Sequence, residues 1–279
     1  METHVFIAIL SGALLHAGWN SVVKVGLDRF STILLLSYVQ ALIAITGLIF
    51  FVPLPSVSSL GWLVLGAFLH TGYKIFLIKA YERADLSQVY PVARGTAPLL
   101  VLLFSIFFLH ESFSRTEVIA VLTISGGILV MALKGHAKQT GYTGLFFSLI
   151  AALFTASYTL ADGMGARVAG TASGFILSLI LLDTLNIWVY ARTTRRVKLF
   201  PTSLRVWKPG FYAGAMSLAA YWITVWAFTQ APIALVASLR EISILFATMI
   251  AVVILKEPVS LWRWVSACCI ALGVIMMRH

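Results

Sequence analysis

Two arginines, Arg94 and Arg240, carry the chemistry this sequence is best equipped to do. Each lies inside an apolar run, "YPVARGTAPLL" and "SLREISILFAT", and the two segments match when offset by 146 residues. A guanidinium presents five donors in a planar fork, the geometry that grips phosphate, phosphonate or carboxylate through two bonds at once. The expected chemistry is recognition of an anion. Lys74 adds a third cation, one helical turn after His70 and on the same face. Asp183 and Glu241 are the interior carboxylates that answer these charges, as counter-ions or as protonation sites for coupling to a proton gradient. Glu241 is next to Arg240, but adjacent helical residues point about 100° apart, so sequence neighbourhood does not pair them. The plainer reading of the arginines is an ion-pair lock between helices, and of Lys74, snorkelling to a surface. Lys74, Arg94 and Arg240 against Asp183 and Glu241 leave one cation over, which favours an anionic solute.

His16, Trp19, Asn20 and Tyr158 are further candidates for a cavity wall, with ordinary packing as the alternative for each. Pro91 and Pro98 flank Arg94 and each removes a backbone donor, so a bend is expected on both sides of it. Broken helix inside a membrane is tolerated mainly along a cavity. For bond-making chemistry the sequence offers no metal-ligand spacing, phosphate-cradling glycine loop or nucleophile elbow. The expectation is a protein that is not an enzyme and uses neither metal nor cofactor.

The elements that position these residues are membrane helices. The composition is 60% hydrophobic and 11% charged, with a mean hydropathy of +0.97, far from the usage of soluble domains. Ten apolar runs near the roughly 20 residues needed to span a bilayer fall at 4–24, 31–52, 58–79, 86–108, 115–134, 142–162, 171–191, 210–229, 233–255 and 260–277. The opening segment lacks a basic leader and a small-residue cleavage site, so it reads as a first span. Cys268 and Cys269 are adjacent in the last span, a poor geometry for a disulfide. With ten spans, the Lys and Arg of residues 24–29, 79–83, 134–138, 192–208 and 256–263 share one side, opposite Arg115, Arg167 and Arg278. That asymmetry accounts for the net charge of +10 without nucleic acid, and it places the basic loops in the cytoplasm and both termini outside.

The match extends from Val92 to Met131 and from Ser238 to Met277, and it also pairs Glu111 with Glu257. More loosely, "SGALLHAGWN" aligns with "IAALFTASYT", pairing Trp19 with Tyr158. The expected fold is an all-α membrane protein of ten transmembrane helices in two five-helix repeats, residues 1–138 and 139–279. An odd number of spans per repeat turns the second copy upside down, and inverted repeats place a transported solute near the midplane. Arg94 and Arg240 then lie roughly 12 Å and roughly 10 Å in from opposite surfaces. Glu111 and Glu257 occupy loop ends and read as local helix caps, beside the capping box of Ser114 and Glu117. Gly126, Gly127 and Gly273 read as sites of close helix contact.

The duplicated "LHES" and "LKEP", together with "LLHAGWNSVVK", resemble the EamA-like branch of the drug/metabolite transporter superfamily over essentially the whole chain. The resemblance implies a multi-pass inner-membrane transporter whose third, fourth, eighth and ninth helices line a central cavity, with the fifth and tenth peripheral. It also implies a small-molecule solute moved by alternating access. Organophosphate-exchanging relatives use basic residues on their fourth and ninth helices, and "YPVARGTAPLL" is similar to members associated with phosphonate utilisation. An organophosphonate or phosphate ester is the expected anion. The alternative is export of amino acids or other zwitterionic or aromatic metabolites, stacked on Trp19, Tyr73, Tyr158, Tyr221 and Trp222.

Overall fold

The protein was analysed as a computed structural model, which describes residues 1–23, 29–84, 86–133, 142–195, 204–254, 256 and 259–278. The first repeat comprises α1 (Thr3–Val23), α2 (Arg29–Phe50), α3 (Leu60–Tyr81), α4 (Leu86–Phe107) and α5 (Arg115–Leu133). The second comprises α6 (Tyr142–Val168), α7 (Ala172–Tyr190), α8 (Leu204–Phe228), α9 (Ile233–Leu239), α10 (Ile242–Val253) and α11 (Leu261–Arg278), with α9 and α10 together forming its fourth span. Among the described residues, nine spans are long and apolar enough to cross a membrane, and α2 contributes a shorter apolar stretch at Leu34–Phe50. Their outward faces are apolar, as a lipid solvent requires, with Ile49, Phe50, Phe107 and Val253 among the exposed side chains.

The packing obeys the duplication. Exchanging each helix for its counterpart turns the α3–α6 contact into α8–α1, α4–α6 into α10–α1, α4–α5 into α10–α11 and α2–α8 into α7–α3, and all of these contacts exist. The α2–α7 and α5–α11 contacts map onto themselves. Even a backbone irregularity repeats: His110 and Lys256, again 146 apart, hold left-handed φ values of 53° and 52°. Such a conformation strains a residue with a Cβ, so its recurrence at both span ends marks the same helix stop used twice.

Of the three peripheral glycines, Gly127 and Gly273 sit where α5 and α11 meet; a Cβ on Gly273 would lie 2.9 Å from the Ala120 carbonyl and one on Gly127 2.4 Å from Cys269 Cβ. Gly126, expected to serve the same contact, faces open space. Cys268 and Cys269 are free.

α4 is helical throughout, with Pro91 and Pro98 inside it. Its inverted counterpart is interrupted at Arg240 and Glu241. There the backbone tightens to three-residue steps, Glu241 N–H donating to Ser238 O at 3.1 Å and Ser243 N–H to Arg240 O at 3.1 Å. A short 3-10 stretch inside a helix is a frequent sign of a functional hinge. The sixth span is also longer than expected, continuing past 162 to Val168.

Candidate functional site

The cavity of interest is bounded by Tyr73 and Leu77 of α3, Tyr90, Ala93, Arg94 and Ala97 of α4, Thr155 and Tyr158 of α6, and Arg240 and Glu241 at the helix break. It offers about 20 Å³ to a water-sized sphere, room for about one water, so the bundle is closed around it. Its lining runs to Leu77 and Tyr90, toward the ends of α3 and α4 that the 82–85 connection joins.

At the opposite end the two repeats are stitched together. Arg167, in the last turn of α6, donates from Nε to Phe228 O at 2.9 Å and from Nη2 to Ala231 O at 3.2 Å, satisfying carbonyls at the end of α8 and just beyond it. Its Nη1 reaches Glu111 at 3.2 Å. Ser56 donates its N–H to Ala169 O at 2.9 Å and its hydroxyl to Val168 O at 2.8 Å. Glu111 is thus a bridge between repeats and not a local cap; the cap is the Ser114–Glu117 box, with Ser114 N–H to Glu117 Oε2 at 2.8 Å. Glu257 lies outside the described residues.

Arg94 and Arg240 both face the cavity, but in different states. Arg94 spans the helix break, donating from Nε to Glu241 at 2.9 Å and from Nη2 to Ser243 Oγ at 3.1 Å. Its side chain and that of Glu241 are 14% and 8% exposed, a buried ion pair between repeats. Arg240 lies over the Tyr221 ring, its Cζ 5.4 Å from the centroid. Among the described residues it forms no ion pair.

The other expected residues are distributed around this centre. Lys74 meets Asp183 at 2.5 Å, so Asp183 answers the lysine and neither arginine, and Lys74 is not part of the cavity wall. His70 bonds Asp162 at 2.8 Å and stacks on Tyr158, ring centroids 4.0 Å apart. The Trp19 indole N–H donates to His16 Nδ1 at 3.3 Å, which puts the imidazole proton on Nε2. The 3.5 Å approach of Arg94 Nη1 to that Nε2 is then a contact between two donors. Asn20 donates to the His16 carbonyl of its own helix at 2.8 Å. Of the eight expected solute-binding residues, Arg94, Arg240 and Tyr158 line the cavity, His16 and His70 touch those lining residues, and Lys74, Trp19 and Asn20 lie apart.

Asp162 was not anticipated. It is 0% exposed, and with it the interior cations Lys74, Arg94 and Arg240 face three carboxylates, correcting the surplus counted from sequence. The wall residues Tyr90 and Thr155 were also missed.

Sequences of the EamA-like transporter family match residues 4–133 and, separately, 142–278. The chain belongs to that family. A solved crystal structure superposes on this EamA-like transporter with a TM-score of 0.79 at 17% identity, covering 99% of this chain and 97% of the other. That likeness is one of fold. Among curated proteins, no sequence matches it.

Proposed function

We propose that this EamA-like transporter carries a small organic anion through the cavity, with Arg240 as the recognising cation. The observation that carries this reading is the unequal state of the two arginines. Arg94 is held by Glu241 and Ser243, whereas Arg240 lines the same cavity with only an aromatic ring beneath it. A part-buried charge with no ion pair among the described residues is costly, and an anion in the cavity would offset that cost. Phosphonates and phosphate monoesters fit the fork through two bonds, with Tyr73, Tyr90 and Tyr158 as surrounding walls. Arg94 acts as the positioning residue that ties the helix break to α4. Glu241 in the wall also supports a second reading, a zwitterion whose amine turns to that carboxylate.

The experiment is ligand-induced thermal stabilisation of the detergent-purified protein. Methylphosphonate or glycerol 3-phosphate at about 100 times its Kd should add roughly 2.7 kcal/mol, and Arg240→Gln should remove the shift. Stabilisation by neutral-headed aromatic amino acids alone would replace the anion reading with the zwitterion reading.

In this reading the basic loops face the cytoplasm of an inner-membrane protein, both termini lie outside, and the Arg167 end is the closed outer gate of an alternating-access cycle. The support is the charge asymmetry of the loops. A C-terminal reporter active only outside the cytoplasm should give signal; a cytoplasmic signal reverses the assignment.

A further inference from the structure

Asp162 is the buried group that anion recognition leaves unused. Its Oδ2 accepts from His70 Nε2 at 2.8 Å and from the Tyr221 hydroxyl. Its Oδ1 has no partner among the described residues, and Gly66 is what makes space for it, since a Cβ there would lie 2.6 Å away. Buried polar atoms are nearly always satisfied, and an exception calls for an explanation. An oxygen that carries a proton in part of a working cycle supplies one.

Two aromatic rings connect this carboxylate to the cavity. Tyr158 stacks on His70 at an interplanar angle of 22° and lines the cavity itself. Tyr221 bonds Asp162 through its hydroxyl and bears the Arg240 guanidinium on its face. The surrounding charges are otherwise matched. On α3, Lys74 is taken by Asp183 of α7; on α4, Arg94 is taken by Glu241 at the break. The remaining titratable neighbours among the described residues are His16 of α1, 3.5 Å from Arg94, Tyr90 of α4, Tyr73 of α3, edge-on to Tyr158 of α6, and Tyr221 of α8. Among the described residues, Arg240, His16 and the His70–Asp162 pair are left to set the net charge beside the cavity, and Asp162→Asn separates the pair from His16.

We propose that the His70–Asp162 pair is a proton-binding site that couples a proton to the transported anion. With one proton shared between His70 Nε2 and Asp162 Oδ2, the pair is anionic and offsets Arg240. A second proton, taken on Asp162 Oδ1 or on His70 Nδ1, leaves the Arg240 charge free for solute. Anion and proton then load together and leave together. The sign follows: anion binding is strongest at low pH and weakens as pH rises through the titration of the pair, and by reciprocity a bound anion promotes proton uptake. This inference rests on the anion reading of the cavity.

The test is methylphosphonate affinity of the wild type and Asp162→Asn between about pH 6 and about pH 8, with proton uptake on binding measured alongside. The ligand's own titration is common to both proteins. The wild-type affinity should fall by up to about tenfold per pH unit beyond that common change. Asp162→Asn should show only the common change and, at the higher pH, bind at least as tightly as the wild type. If that variant aggregates, proton uptake by the wild type decides: approaching one proton per methylphosphonate beyond the ligand's own is expected. Equal pH dependence in the two proteins, or no such uptake, overturns the coupling while leaving anion recognition intact. Failure of the wild type to bind methylphosphonate at any pH overturns the anion reading first, and this inference with it.

Discussion

Arg240→Gln is expected to reduce methylphosphonate counterflow in proteoliposomes by roughly ten- to a hundredfold, the range of about 1.5–3 kcal/mol carried by a hydrogen bond to a charged group. The substitution keeps a polar side chain of similar reach. It removes a cation that forms no direct ion pair among the described residues, the contact below it being the Tyr221 face. The folded protein should therefore persist in detergent with near-wild-type stability while exchange is lost. Wild-type exchange in a folded variant would leave Arg240 with no part in solute recognition.

Glu241→Gln is expected to act on stability. It leaves Arg94 buried across the helix break with only Ser243 as a full partner. Removing one member of a buried pair costs about 3–5 kcal/mol, because the surviving charge stays desolvated. Arg94→Gln alone should cost a comparable amount. The double substitution should cost much less than the sum of the two, the coupling expected of residues in direct contact. Unfolding measured on the four proteins checks this, and strict additivity would show that the pair does not join the repeats.

The contrast between these two arginines was only half legible in the sequence. Their depth and their duplication were readable, because a charge in an apolar run and a repeat at a fixed offset are local facts. Their partners were not, since Arg94 meets Glu241 and Ser243 through the packing of α4 against the other repeat, 147 and 149 positions away. The prolines of α4 suggested a bend on either side of Arg94. The helix stays continuous through both, and a break opens at Arg240 and Glu241, where no proline or glycine announces it.

Asp162 escaped notice for a different reason. The "LADGMGARV" stretch, with its carboxylate and two glycines, looks like the end of a span, and an acidic residue at a span end is ordinary. The helix continues through it to Val168. Gly165 lies where Phe175 and Trp62 press in, a Cβ there meeting the Phe175 ring at 2.4 Å and Trp62 Cβ at 2.7 Å. These glycines mark close packing, and the aspartate beside them is interior.

At one end of the bundle, side chains tie the two repeats together. Arg167 reaches Glu111 of the first repeat and two carbonyls of its own, and Ser56 reaches the end of α6. The Arg240–Glu241 interruption lies between that stitched end and the basic end. In the proposed reading, the break beside the cavity serves as a hinge and the stitched end as a latch, the two parts that a rocking-bundle cycle needs.

The most direct test of the central claim is the location of a tetrahedral oxyanion inside the protein. Methylarsonate reproduces the phosphonate head, and its arsenic is found by anomalous scattering. The account predicts one arsenic in the cavity, with its oxygens within hydrogen-bonding distance of the Arg240 guanidinium and the tyrosine rings around it. Arsenic bound only at the basic loops or beside Lys74, with the cavity empty at saturating methylarsonate, would contradict it.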